Sequence, residues 1–201
     1  MSWKIISRRT AFDNPWRKVE AWRVKQPNGR TGEFFFSADP DVVMVFALTA
    51  KEEVIVNRQH NIHLGRRLWE LPAGCMETET PLAAAKRELR EETGYTAGRW
   101  LKLKSLHLGK WSLGRAHFYL ALGARKTHEQ ELEESEDIVV ERIPLARYPA
   151  LLADGTISST LCHGASYEAL ACLESLGYRT ARQKLKSGQG KSANRRRALG
   201  H

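Results

Sequence analysis

Gly74-Cys75-Met76-Glu77-Thr78-Glu79-Thr80-Pro81-Leu82-Ala83-Ala84-Ala85-Lys86-Arg87-Glu88-Leu89-Arg90-Glu91-Glu92-Thr93-Gly94-Tyr95 spells a loop, a helix and a stop in one continuous run. Thr80 is a residue type that caps a helix N-terminus, and Pro81 suits the first helical position because its missing N–H has no intrahelical partner there. Leu82 to Glu92 are mostly strong helix formers. Gly94 then ends the helix by adopting positive φ without steric cost. Within that helix Glu88, Glu91 and Glu92 stand at i, i+3 and i+4 and share one face. Three carboxylates on one face repel one another unless a cation sits among them. Their hard oxygens are the donors that Mg²⁺ or Mn²⁺ takes. The same spacing also describes a solvated acidic face balanced by Lys86, Arg87 and Arg90.

Outward from the helix the chain reads mainly as strands. Residues 42–49 and 53–58 are two strongly apolar strands, set off from what precedes them by Asp39-Pro40-Asp41. Residues 58–67 are polar and basic, with Arg58, His60, His63, Arg66 and Arg67. Trp69-Glu70-Leu71-Pro72 is a short extended piece, since the residue before proline avoids the α region. Strands are expected at about 100–108, 115–124 and 138–143, the last entered through an acidic stretch from Glu129 to Asp137. A second helix is expected over about 160–175 with Ser159 as its cap.

Towards the N-terminus, residues 3–8, 17–26 and 33–37 alternate with turn signals such as Pro27-Asn28-Gly29 and read as a small antiparallel sheet of their own. Strands on both sides of one strong helix, with another helix near the end, indicate an α+β fold built on a mixed-sheet sandwich. The expected organisation is an N-terminal strand element at 1–40, a main domain at 41–177 and a basic tail at 178–201, low in apolar residues and expected to lack fixed structure.

Charge follows the same division. The chain of 201 residues has a formal charge of +9. Residues 179–201 hold eight Lys or Arg and no Asp or Glu, so the rest sums to only about +1. Arg195-Arg196-Arg197 and the nearby lysines offer contacts to RNA or acidic surfaces, but without the interleaved aromatics of a single-strand binder. Cys75, Cys162 and Cys172 form neither a C-x-x-C pair nor an even set, so reduced thiols in a cytoplasmic protein are expected. No apolar run is long enough for a membrane span, and the N-terminus lacks the apolar region of a signal peptide. His60, His63 and His107 have no metal-ligand spacing, and Cys75 is a lone thiol without a partner base.

Taken as a pattern, Gly74-x4-Glu79-x7-Arg87-Glu88-Leu89-x-Glu91-Glu92-x-Gly94-Tyr95 resembles the Nudix box, with every defining position matched from Glu79 to Tyr95. It departs in one place, with four residues rather than the usual five between Gly74 and Glu79. The resemblance implies a Nudix-type mixed β-sheet sandwich between helices. It also implies a divalent metal, Mg²⁺ or Mn²⁺, held by Glu88, Glu91, Glu92 and the backbone carbonyl of Ala73, with Glu88 and Glu92 the firmest ligands. Gly74, Glu79, Arg87 and Gly94 would shape the box, with Arg87 and Glu79 paired across it. Metals at such a site neutralise phosphate oxygens and lower the pKa of a bound water.

Beyond the box, Asn14-Pro15-Trp16, Pro27-Asn28-Gly29-Arg30-Thr31-Gly32, Arg58-Gln59 and Trp69-Glu70-Leu71-Pro72-Ala73-Gly74 look like the ADP-ribose pyrophosphatase branch. That likeness implies a homodimer in which the N-terminal strands help complete the substrate site. Glu133-Glu134-Ser135-Glu136-Asp137 resembles the loop that carries the catalytic base there, with Glu134 first and Glu136 second in position. Arg58, Arg66, Arg67, Glu70 and Trp16 are the candidate substrate contacts, Trp22 and Trp111 being further aromatic candidates that also suit plain packing. The favoured reaction is hydrolysis of ADP-ribose to AMP and ribose 5-phosphate.

Two departures leave other substrates open. Lys110 stands where many ADP-ribose enzymes have proline, in a loop without their glutamate, and Asn61 stands where a second arginine is usual. GDP-mannose or another nucleotide sugar, a dinucleotide and capped RNA are therefore alternatives. So is a Nudix-like module that binds nucleotides without cleaving them, although such modules usually lose the box carboxylates that this chain keeps.

Overall fold

The computed structural model describes residues 2–179, so the expectations for most of the basic tail lie outside the described residues. Strands β1 (Lys4–Asn14), β2 (Arg17–Lys25) and β3 (Thr31–Ser37) form an antiparallel sheet in that order. The remaining strands are β4 (Val42–Thr49), β5 (Glu53–Asn61), β6 (Arg66–Glu70), β7 (Ala73–Cys75), β8 (Tyr95–Thr96), β9 (Arg99–His107), β10 (Arg115–Lys126) and β11 (Ile138–Pro144). Helices α1 (Pro81–Thr93), α2 (Tyr148–Ala153) and α3 (Thr160–Ser175) complete the described chain. No helix among the described residues is long and apolar enough to cross a membrane.

The second sheet runs β11-β5-β4-β10-β8, with β6 beside β5, β7 beside β4 and β9 beside β10. It is mixed, because β4 and β10 are parallel while their other pairings are antiparallel. Successive residues of a strand face opposite sides. Along β4, Met44, Phe46 and Leu48 join the core shared with α2 and α3, whereas Val43, Val45 and Ala47 join the core shared with Ala84, Ala85 and Leu89 of α1. Burial on both faces explains why β4 is apolar throughout rather than alternating. Each fully buried large side chain here contributes about 1.5–3 kcal/mol.

β1 extends well past the expected residues 3–8, because its pairing with β2 continues to Asn14↔Arg17 across two register shifts. The polar run 58–67 forms the end of a hairpin: β5 and β6 pair from Asn57↔Glu70 to Asn61↔Arg66 around a turn that includes Gly65, which has positive φ. β7, β8 and α2 were too short to carry a period of their own, and α2 contains Pro149 in its first turn. Ser159 does precede α3 in an extended conformation, but its side chain makes no capping hydrogen bond.

Candidate functional site

The loop before α1 and the helix itself are built as one unit. Thr80 accepts a hydrogen bond from the Ala83 N–H at 3.3 Å, and Gly94 closes the helix at φ +73° with its N–H donated to Arg90 O. β7 pairs with β4 and places Ala73 and Gly74 against the helix flank. A Cβ on Gly74 would overlap the Glu88 carboxylate, so only glycine admits that carboxylate so close to the strand.

Glu92 is buried, and one of its oxygens accepts from the Ala73 N–H at 2.9 Å and from Asn57 Nδ2 at 3.0 Å. Burial pushes its carboxyl well above the usual range; the Ala73 N–H works against that shift and the charge of Glu88 adds to it. Glu88 is also buried and its carboxyl is raised, first by desolvation, with partial relief from Arg87 at 2.8 Å. Glu91 points elsewhere: it binds Arg87 at 3.1 Å and Arg90 at 3.0 Å. Arg87 further binds Glu79 at 2.9 Å and the Cys75 carbonyl at 3.0 Å. Although partial burial opposes it, this acidic company raises the pKa of Arg87, while Arg87 lowers that of Glu79. The box loop, one residue short, therefore still closes.

The three glutamates are not equivalent: Glu88 and Glu92 are buried, whereas Glu91 is ion-paired with Arg87 and Arg90. Among the described residues no three Asp, Glu, His or Cys side chains already form a ligand cluster, because Arg87 and Arg90 draw Glu91 aside. The set nonetheless fits a hard cation. Its donors are all oxygen, two of its carboxylates are desolvated, and Asn57 Oδ1 beside them is buried without a hydrogen-bond partner. Asn57 was not singled out from sequence; its only signal was a polar side chain closing the apolar run of β5.

The acidic loop between β10 and β11 lies against the last turn of α1, where the Glu131 N–H donates to Glu91 O. Glu136 is the loop carboxylate whose charge acts on both Glu88 and Glu92. Its Oε2 accepts from the Glu133 N–H at 2.9 Å. Glu134 is exposed at the loop's turn. The candidate phosphate-binding arginines are differently placed: Arg58 is paired with Glu141 at 2.9 Å, Arg67 with Asp137 at 2.5 Å, and Arg66 is exposed. Glu70 is half-buried, and desolvation raises its carboxyl.

A cavity of about 670 Å³ lies where the N-terminal sheet meets the main one, lined among others by Trp16, Arg17, Asp39, Val42, Cys75 and Leu161. Trp16 is 86% exposed at this cavity. Trp22 and Trp111 each lie against Phe36, with ring centroids 4.7 and 5.8 Å apart, Trp111 remaining half exposed. Asp39 anchors the junction by accepting from Arg17 at 2.8 Å and from Ser37 at 2.5 Å. Cys75 is exposed, and its thiol is pushed up by desolvation and then by Glu88, which disfavours a reactive thiolate.

The NUDIX domain family model matches residues 39–159. An ADP-ribose pyrophosphatase from Bacillus subtilis (strain 168) is 31% identical over 145 residues, covering 71% of this chain and 78% of the relative. An ADP-ribose pyrophosphatase from Mycobacterium tuberculosis (strain H37Rv) is 32% identical over 123 residues, or 59% of each chain. Among solved structures, an ADP compounds hydrolase superposes with a TM-score of 0.79 at 20% identity, covering 88% of this chain and 97% of its own, a likeness of fold.

Proposed function

We propose that this chain, which belongs to the NUDIX family of hydrolases and within it resembles the ADP-ribose pyrophosphatases, cleaves the pyrophosphate bond of a nucleoside diphosphate joined to a second group X. ADP-ribose is the favoured substrate, giving AMP and ribose 5-phosphate. The observation that carries the reading is the pair Glu88 and Glu92, both buried, both desolvated, and pressed between the β7 backbone and an unpartnered Asn57 oxygen. Burying two carboxylates without a full complement of positive charge is costly. A resident dication removes that cost.

Nudix hydrolases generally use divalent metals; here we favour Mg²⁺, with Mn²⁺ as a substitute. Glu88 and Glu92 would hold it with the Ala73 carbonyl, and Glu91 would join them only by leaving Arg87 and Arg90. When bound, such an ion supplies charge neutralisation at the phosphate oxygens and a lowered pKa for bound water. Arg87 keeps the loop and helix in register by binding Glu79, Glu88, Glu91 and the Cys75 carbonyl. A carboxylate of the acidic loop, Glu134 or Glu136, accepts the proton of the attacking water at its Oε. The water oxygen forms the new P–O bond and the bridging oxygen leaves with the other phosphate. Arg66, exposed, is the first cation for the diphosphate; Arg58 and Arg67 would join it only by giving up Glu141 and Asp137, and Glu70 is a polar neighbour of the site.

The nucleoside is assigned to the cavity beside the box, whose volume of about 670 Å³ suits a ligand of that class. Trp16 offers an exposed ring for stacking on the base. β1 is exposed along its whole length and carries Trp3, Ile5, Ile6 and Phe12 on or beside it, which supports a homodimer that covers this sheet. Three free cysteines are in keeping with a reducing cytoplasm. Lys110 and Asn61, where the branch usually has proline and arginine, support a second reading in which X belongs to another nucleotide sugar such as GDP-mannose.

The test is release of AMP from ADP-ribose, with and without Mg²⁺, beside GDP-mannose, other nucleotide sugars, dinucleotides and capped RNA. Metal-dependent AMP release, fastest on ADP-ribose, is expected. Cleavage of none of them would contradict the hydrolase reading, and preference for another member would replace X.

A further inference from the structure

The acidic loop is fastened to the helix that carries the glutamates, and one side chain makes both ends of that fastening. Gln130 Nε2 donates to the backbone carbonyl of Glu92 at 2.7 Å and to that of Ile138 at 3.2 Å. The first acceptor is in the last turn of α1 and the second is the first residue of β11. Residues 131–137 are thereby drawn into a closed loop with both ends tied to the turn from which Glu88 and Glu92 project. The neighbouring backbone reinforces the entry: the Glu131 N–H donates to Glu91 O at 2.9 Å, and the Thr127 and His128 N–H groups both donate to Gly94 O. These bonds satisfy carbonyls that a helix C-terminus otherwise leaves to water. At the exit, Arg67 binds the Asp137 side chain at 2.5 Å and its carbonyl at 3.3 Å, and also donates to Arg58 O.

Between these anchors the loop's freedom is narrow. Glu136 N–H donates to Glu133 O at 3.0 Å, and the Glu136 carboxylate accepts from the Glu133 N–H. The position of residues 132–136 against the helix is set by where these two ends are pinned. No motif marks Gln130, which stands six residues before Glu136 in a polar stretch.

We propose that Gln130 is a positioning residue for the reaction: its amide fixes the distance between the acidic-loop carboxylate and the glutamates of α1. This rests on the reading that the acidic loop supplies the base. Gln130 itself bonds only backbone carbonyls, so its effect falls on turnover rather than on binding. Misplacement by about 1 Å costs up to about a hundredfold in rate.

The experiment uses the full chain with Mg²⁺ and ADP-ribose, or whichever substrate the panel selects, and compares Gln130→Met, which keeps the length but lacks the donor, with Gln130→Lys, which restores a donor. Gln130→Met is expected to lower kcat by about tenfold to a hundredfold with KM within about threefold. Amide exchange over residues 131–138 should quicken in the same variant while the melting temperature holds, and Gln130→Lys should recover most of the turnover. Wild-type kcat in Gln130→Met, a loss carried by KM alone, unchanged loop exchange, or no recovery in Gln130→Lys would each overturn the proposal. Glu134→Gln and Glu136→Gln separate the two claims. If both keep full turnover, the base reading fails and takes this proposal with it; if either is slow while Gln130→Met is not, only the positioning role fails.

Discussion

The box at α1 and the N-terminal sheet face the same physical problem, groups placed in surroundings that do not suit them, and answer it differently. At α1 the unsuitable groups are carboxylates inside the protein: Glu88 and Glu92 are buried, and their discomfort is met partly from within, by the Ala73 N–H, Asn57 and Arg87. In the N-terminal sheet they are aromatic and aliphatic side chains outside it: Trp3, Ile5, Phe12 and Trp16 are exposed. On the proposed function a cation would complete the first region, and a ligand against Trp16 or another copy of the chain along β1 would complete the second. The first would then govern the chemistry and the second binding, and substitutions in the two should separate in kcat and KM.

The largest effect is expected where the separation is cleanest. Glu92→Gln removes a charge but keeps an acceptor for the Ala73 N–H, so turnover should fall by about a thousandfold while KM changes little; steady-state kinetics decide it, and a loss carried by KM would blur the two regions. Arg87→Ala comes next. Arg87 binds Glu79, Glu88, Glu91 and the Cys75 carbonyl. Its loss should cost about tenfold to a hundredfold in kcat and, after discounting for solvent screening, about 1–2 kcal/mol of stability in thermal melts. Trp16→Ala should instead raise KM about fivefold to tenfold with kcat nearly unchanged, the worth of one stacking contact. A fall in kcat alone would take Trp16 out of the binding region.

The smallest effect is a gain. Burial raises the Glu92 carboxyl in the folded protein above its unfolded value. The folded state then holds the proton more tightly, so stability is greatest below the usual carboxylate range and declines as pH rises from there towards the raised folded value. In the presence of a chelator, Glu92→Gln escapes that penalty. Its melting temperature should exceed that of the wild type by about 2–4 °C at neutral pH, with the gap closing on acidification. A wild type more stable than the variant at neutral pH without metal would contradict the account of a strained charge.

The two regions also differed in how far the sequence disclosed them. The span and both caps of α1 were legible because Thr80, Pro81 and Gly94 act through local backbone geometry. The pairing of Glu79 with Arg87 came with the resemblance to the Nudix box. That Glu88 and Glu92 are the firmer of the three glutamates came with the same resemblance, but the cause of this inequality was not legible. It depends on Arg90 reaching Glu91 and on Asn57 arriving from β5, a strand 35 residues away in sequence at that contact. The role of Gly74 was visible as a box position, but its cause is the carboxylate of Glu88 in the space of a Cβ. Arg58 and Arg67 looked like free cations in a basic run; Glu141 and Asp137, which pair with them, lie on or next to a strand that joins the sheet from the far end of the chain. In the N-terminal sheet the strands were readable from alternation and turns, yet the full length of β1 was not, because an edge strand exposed throughout has no buried face to mark its period.

The account stands on a dication held by the desolvated glutamates of α1, and Mn²⁺ uptake reads this without any turnover. Titrating Mn²⁺ into the full chain and following the free ion by electron paramagnetic resonance should reveal binding in the wild type that is lost or greatly weakened in Glu88→Gln and Glu92→Gln, both still folded. Equal uptake by all three proteins, or none by the wild type even with AMP present, would contradict it.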